Sequence, residues 1–183
     1  GDTNHHTRTA KWILSLWKKE YGEEITEKMA ADFQKEKPIT IRCCMNRVTP
    51  EVLKEKLEAA LAETKLQEYK ITEENGEISI YAKGVPAHAS TPTLGVNAAG
   101  VTFECLAKAG FEDDFVKFYN EHIGTACDGS GLGLKFEDEY GELTLCNGIV
   151  KTEDGVVSCT IDIRVPVTLK GDEVRKMCED RLE

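Results

Sequence analysis

The residues of this 183-residue chain whose types and settings could do chemistry are few, and His88 comes first. It lies in the run Gly84-Val-Pro-Ala-His-Ala-Ser-Thr-Pro92, flanked by Ala87, Ala89 and Ser90. Small neighbours leave an imidazole room to project, and such a group can donate a hydrogen bond to an oxygen on which negative charge develops. The competing reading is a loop histidine satisfied by its own backbone. Arg164 follows in Ile163-Arg-Val-Pro166. A guanidinium there can fork onto a carboxylate, or it can pair with Asp162, two residues away on the same strand face.

Other features carry less. The loop Gly124-Thr-Ala-Cys-Asp-Gly-Ser-Gly-Leu-Gly133 is glycine-rich, but it follows a predicted helix and lacks a Gly-Lys-Ser/Thr ending. It therefore reads as a turn-forming loop and not as a phosphate cradle. The four histidines are His5, His6, His88 and His122. The first two belong to a tail-like N-terminus, and His122 suits a helix C-terminus. A dinuclear metal centre needs several His, Asp and Glu ligands with a base, and no such cluster surrounds His88, so no metal-ligand set is assigned. The seven cysteines are odd in number, contain no Cys-x-x-Cys, and fall mostly inside apolar patterns. They read as reduced thiols in a cytoplasmic protein.

The elements that must position His88 and Arg164 follow from periodicity. Helical spacing predicts helices over 9–21 and 23–35, and alternation predicts a short strand at 39–43. Thr49-Pro50-Glu51 starts a helix running to about 63. Strands 66–73 and 77–83 flank Asn75-Gly76, a hairpin signal. The His88 loop spans 84–93. Helices are expected at 94–109 and 112–122, then a second hairpin pairing 142–151 with 156–165 around Asp154-Gly155, and a last helix at 171–182. In the second hairpin Val157, Cys159, Ile161, Ile163 and Val165 share one face, so that face should be buried. This order predicts an α+β fold: an antiparallel β-sheet with helices packed on one face, preceded by a short helical N-terminal region.

Composition bounds the function. The chain is 40% hydrophobic and 31% charged, an ordinary globular mixture. No apolar run approaches a membrane span, and the first residues lack the apolar core of a signal peptide. A net charge of −10 argues against a nucleic-acid or anionic-membrane surface as the main partner. Residues 1–60 are nearly balanced, and the acidity sits in 61–183.

The run Gly84-Val-Pro-Ala-His-Ala-Ser-Thr-Pro-Thr-Leu-Gly-Val-Asn-Ala-Ala99 resembles the lid segment of PepV-type dipeptidases, in the zinc aminoacylase and carboxypeptidase superfamily. Their pattern is Gly-x-x-(Ala/Ser)-His-(Ala/Gly)-Ser-x-Pro-x-x-Gly-x-Asn-(Ala/Ser), and every fixed position is met. Lys135-Phe-Glu-Asp-Glu-Tyr-Gly-Glu-Leu-Thr-Leu145 and Ile163-Arg-Val-Pro166 resemble the same lid. Asn46-Arg-Val-Thr-Pro50 resembles its entrance, with Thr49 where the family has proline. The resemblance covers about 45–183. It implies a substrate-covering lid inserted into a catalytic domain that holds two zinc ions. In that setting His88 polarises the scissile carbonyl, and Arg164 with Asn46 holds the dipeptide. The partners implied are the catalytic domain of the same parent chain and a dipeptide, and the lid alone is expected to be inactive.

Residues 8–60 also resemble the segment that precedes the cofactor domain of ribosomal-RNA cytosine methyltransferases. The resemblance rests on Trp12-Ile-Leu-Ser-Leu-Trp-Lys-Lys-Glu-Tyr-Gly-Glu-Glu24, Ile41-Arg42 and Val48-Thr-Pro-Glu-Val-Leu-Lys-Glu-Lys-Leu57. The sequence thus divides into a tail at 1–7, a helical N-terminal extension at 8–44 and a lid domain at 45–183. An RNA-binding accessory module and a dimerisation or interaction domain stay open as alternatives.

Overall fold

The computed structural model describes residues 18–19, 22–25, 27, 39–42 and 48–182, with backbone alone for 39–42. The chain divides into two units, Gly1–Pro38 and Ile39–Glu183. In the first, residues 18–19, 23–25 and 27 are helical. Gly22 takes φ 81° and donates its N–H to the Lys18 carbonyl at 3.2 Å, a glycine-ended turn where the sequence predicts a helix to stop. The remaining residues of the two predicted N-terminal helices lie outside the described residues, as do Asn46, His5, His6, Cys43 and Cys44.

The second unit is α+β. Strand β1 (Ile39–Arg42), helix α1 (Pro50–Ala62) and strands β2 (Glu68–Glu74) and β3 (Glu77–Lys83) come first. They build a three-stranded antiparallel sheet of order β1-β3-β2, in which Ile80 pairs with Ile39 on one side and Ile71 on the other. The β2–β3 turn uses Asn75 at φ 54° and Gly76 at φ 79°, the left-handed pair that matches strand twist. Thr49 caps α1, accepting from Val52 N–H at 3.5 Å, with proline in the first turn.

Helices cover one face of this sheet. Leu53, Leu57 and Leu61 recur every four residues along α1 and are wholly buried, as are Ile78 and Ile80 on one face of β3. Helix α2 (Ala98–Lys108) adds Phe103, Cys105 and Leu106, and α3 (Asp114–His122) adds Val116 and Tyr119. Each such aliphatic or aromatic side chain contributes about 1.5–3 kcal/mol by leaving water. Phe103, Phe115 and Tyr119 pack as a ring cluster with centroids 4.7–6.2 Å apart.

Among the described residues the single predicted sheet is divided into three. Strands β4 (Glu137–Asp138) and β5 (Gly141–Glu142) form a small ladder, and β6 (Thr144–Glu153) pairs with β7 (Val156–Arg164) as a separate ribbon. Helix α4 (Gly171–Leu182) closes a second core of Leu132, Leu134, Leu143, Leu145 and Val174. Only the middle of the predicted apolar face is covered, through Cys159, Ile161 and Ile163, and Val165 just beyond β7 is exposed. Val157, with Val156 and Ile149, stays exposed at the ribbon's far end. The predicted helix at 94–109 also starts late. Val96 is bridged to Val85 in antiparallel fashion, which holds it extended, and Asn97 then caps α2. A single 3-10 turn, Pro92–Leu94, takes up the intervening residues.

Candidate functional site

His88 is exposed at the tip of a loop closed at its base. Val85 and Val96 exchange backbone hydrogen bonds of 3.1 and 2.9 Å. The closure is tight enough that side chains are excluded beside it. A Cβ on Gly84 would lie 1.9 Å from the Val96 carbonyl oxygen, and one on Gly95 would lie 2.7 Å from both the Val85 oxygen and the Ala87 Cβ. Inside the loop, Thr91 N–H donates to the His88 carbonyl at 2.9 Å, folding 88–91 into a turn.

The ring of His88 is engaged on one side. Ser90 N–H donates to Nδ1 at 3.2 Å, and the Ser90 hydroxyl lies 2.8 Å from the same atom. A ring nitrogen can accept from a backbone N–H when it carries no proton, so the proton of the neutral ring sits on Nε2. Among the described residues Nε2 has no partner.

The loop is tied across 55 residues of sequence to β6, where Thr144 donates its hydroxyl to the Ala89 carbonyl at 2.9 Å. Thr144 stands opposite Arg164 in the β6–β7 register. The His88 loop is thus tied to the strand pair that carries Arg164. Arg164 itself is forked onto Asp162, Nε to Oδ1 at 2.8 Å and Nη2 to Oδ2 at 2.9 Å. That is the carboxylate pairing its position on the strand allows. Both side chains are partly exposed, at 57% and 41%, so exchanging one carboxylate for another would cost little.

Beneath His88 lies a cavity of about 210 Å³, with Val85, Asn97, Cys127, Cys146 and Asn147 in its wall. An adjoining depression of about 550 Å³ shares Pro92 and Cys127 with it and reaches Lys135 and Phe136. Behind the cavity a chain of polar atoms runs through the core. Asn97 Nδ2 donates to the Tyr119 hydroxyl at 2.9 Å, and that hydroxyl donates to Asn147 Oδ1 at 3.0 Å. Asn147 Nδ2 in turn donates to the Thr160 carbonyl at 3.2 Å, and Asn97 Oδ1 accepts from Gly100 N–H at 3.2 Å. Tyr119 is wholly buried, and that burial pushes its phenol well above the ordinary value of 10.0. The register shift between Asn147 and Ile149 is a bulge, the device that re-aims a strand side chain.

The glycine-rich loop 124–133 is built of turns. Gly124, Cys127, Gly129 and Gly133 all take positive φ, and Gly131 passes so close to the end of α3 that a Cβ would lie 2.5 Å from the His122 carbonyl oxygen. His122 is the last residue of α3, with its ring tilted by 50° against Phe118 at a centroid distance of 4.8 Å. Burial raises the thiols of Cys105, Cys127, Cys146, Cys159 and Cys178 above their usual range, and all five are unpaired.

Among the described residues, no three His, Cys, Asp or Glu side chains converge on a point that could hold a metal. They do not fit the zinc centre that the family resemblance implies. No helix among them is long and apolar enough to cross a membrane.

The sequence points to Ser90 only as a small neighbour of His88 and to Ser90 and Asn97 only as fixed positions of the lid pattern, and it assigns no role to Tyr119, Thr144 or Asn147. Asn97 before Ala98-Ala99-Gly100 carries an N-cap signal that a helix begun at 94 conceals. Tyr119 and Asn147 carry no sequence signal, since their link spans 28 residues.

No family model matches the chain. It is similar to a curated protein of Bacillus subtilis (strain 168) named "Putative dipeptidase YtjP", with 31% identity over 115 residues. The match takes in 60% of this chain and 25% of that protein. The chain thus spans about a quarter of the length of the curated relative it matches.

Proposed function

We propose that this chain is the substrate-covering lid of a zinc-dependent dipeptidase. The observation that carries the reading is His88, held at an exposed loop tip with Nδ1 occupied by Ser90 and Nε2 left to donate outward. Two further facts support it: the similarity to the protein named "Putative dipeptidase YtjP", and Thr144, which ties the His88 loop to the strand position facing Arg164.

In this reading a dipeptide lies between the lid and the catalytic domain of the same parent chain. His88 Nε2–H donates to the scissile carbonyl oxygen, and the bond strengthens as that oxygen gains charge, which is where a preorganised donor lowers a barrier. Arg164 exchanges Asp162 for the substrate carboxylate, keeping the same two-pronged geometry. Asn46, outside the described residues, is a further substrate contact. The two zinc ions would activate the attacking water, and their ligands and the base would come from the catalytic domain.

The test is dipeptide hydrolysis by the full-length parent with its zinc complement. His88→Ala is expected to lower kcat roughly 10²–10³-fold, and an unchanged kcat would remove the role. The 183-residue chain with added zinc should show no turnover. Turnover that disappears in His88→Ala would show instead that it is an enzyme in its own right.

A further inference from the structure

The Ala89–Ser90 peptide unit has both its polar ends engaged. Its carbonyl accepts the Thr144 hydroxyl at 2.9 Å, and its N–H donates to His88 Nδ1 at 3.2 Å. A trans peptide holds C=O and N–H on opposite sides of one rigid plane. Fixing the oxygen against β6 therefore aims the hydrogen at the ring. The Ser90 hydroxyl adds a second contact to the same nitrogen at 2.8 Å. A hydrogen bond accepted at the carbonyl also polarises the amide and strengthens the one its N–H makes.

From this we infer that Ser90 and Thr144 are positioning residues that select the tautomer of His88. The inference rests on the lid reading for its purpose, though not for its geometry. An imidazole with its proton on Nδ1 would turn a lone pair outward and repel an oxyanion. With its proton on Nε2 it turns a donor outward. The backbone N–H, which can only donate, enforces the second form, the hydroxyl supports it by donating to the same bare nitrogen, and the anchor for the peptide is a strand residue distant in sequence. Thr144 thus does two things at once. It places the His88 loop beside the position facing Arg164, and it decides which nitrogen of the ring donates.

The tautomer is read directly by long-range proton–nitrogen correlation NMR on the 183-residue chain labelled at histidine nitrogen. The wild-type spectrum should show His88 Nδ1 unprotonated and Nε2 protonated. Ser90→Ala and Thr144→Val should each raise the fraction carrying the proton on Nδ1, with circular dichroism unchanged. Ser90→Thr restores the hydroxyl and should restore the wild-type spectrum. In the full-length dipeptidase, Ser90→Ala should lower kcat roughly tenfold, equivalent to about 1.4 kcal/mol, with KM unaltered, and Ser90→Thr should recover it. If Ser90→Ala and Thr144→Val both keep the wild-type tautomer ratio, the inference is overturned even where His88→Ala is crippling. If the ratio follows Ser90 and Thr144 while His88→Ala leaves kcat intact, the positioning stands and the lid reading falls.

Discussion

Asn97 and Asn147, in the wall of the His88 cavity, have each polar side-chain atom paired, with Tyr119 between them and backbone at either end. His88, at the loop tip above, has one ring nitrogen paired and the other without a partner among the described residues. The first arrangement is what a buried polar group needs in order not to cost stability. The second leaves a donor in hand, which is what a group meant for an external acceptor needs. Exposure follows the same division, since Tyr119 is wholly buried and His88 is exposed. Polar residues a few ångströms from one cavity thus separate into those that hold the fold and one that is free to act.

Substitutions can break that division or sharpen it. The largest effect is expected for Tyr119→Ala, which empties a fully buried aromatic position and should cost about 3–5 kcal/mol in denaturant unfolding. Next is Tyr119→Phe. It keeps the ring packing and orphans Asn97 Nδ2 and Asn147 Oδ1, a loss of about 1–3 kcal/mol. The same variant tests the phenol's titration. Because burial raises the folded-state value above 10.0, the stability linked to Tyr119 is present in full below that pH. It is lost as pH climbs through the folded value, where the unfolded chain holds fewer protons. Unfolding measured at about pH 8 and about pH 11 should therefore show a steeper fall for wild type than for Tyr119→Phe. His88→Ala, by contrast, should move stability by no more than about 0.5 kcal/mol while removing the outward donor. The smallest effect belongs to Ile149→Lys at the exposed ribbon end, also within about 0.5 kcal/mol. A larger loss there would mean that this end is covered in solution.

The sequence makes some of this legible and hides the rest for physical reasons. Local chemistry is readable: the Thr49-Pro50-Glu51 helix start and the Asn75-Gly76 and Asp154-Gly155 turns all act within a few residues. The division into three sheets is not, because strand pairing between hairpins depends on what packs between them. The β4–β5 ladder escapes notice because it is two residues per strand, with its turn set by Tyr140 N–H donating to Asp138 Oδ1 at 2.7 Å. At the site, His88 and Arg164 stand out by type and setting. Ser90 does so only as a small neighbour within the pattern and Thr144 not at all, because a hydroxyl gains its meaning only from what it faces, and Thr144 faces a carbonyl 55 residues away.

The pinch at Val85 and Val96 bears on how freely this part of the chain can vary. Gly84 and Gly95 have no room for a methyl group against the opposing backbone, so the two strands of the loop's neck are spaced by the absence of side chains. The address of His88 is in that sense written in main chain. Side chains such as Pro86 and Leu94, which point to solvent or are partly exposed, can drift without moving the imidazole. Loss of either glycine would spread the neck and carry the whole tip with it. A stretch of this kind behaves as a cassette with two fixed rivets, open to new side chains at outlying positions such as 86 and 94 and closed to changes in the rivets themselves.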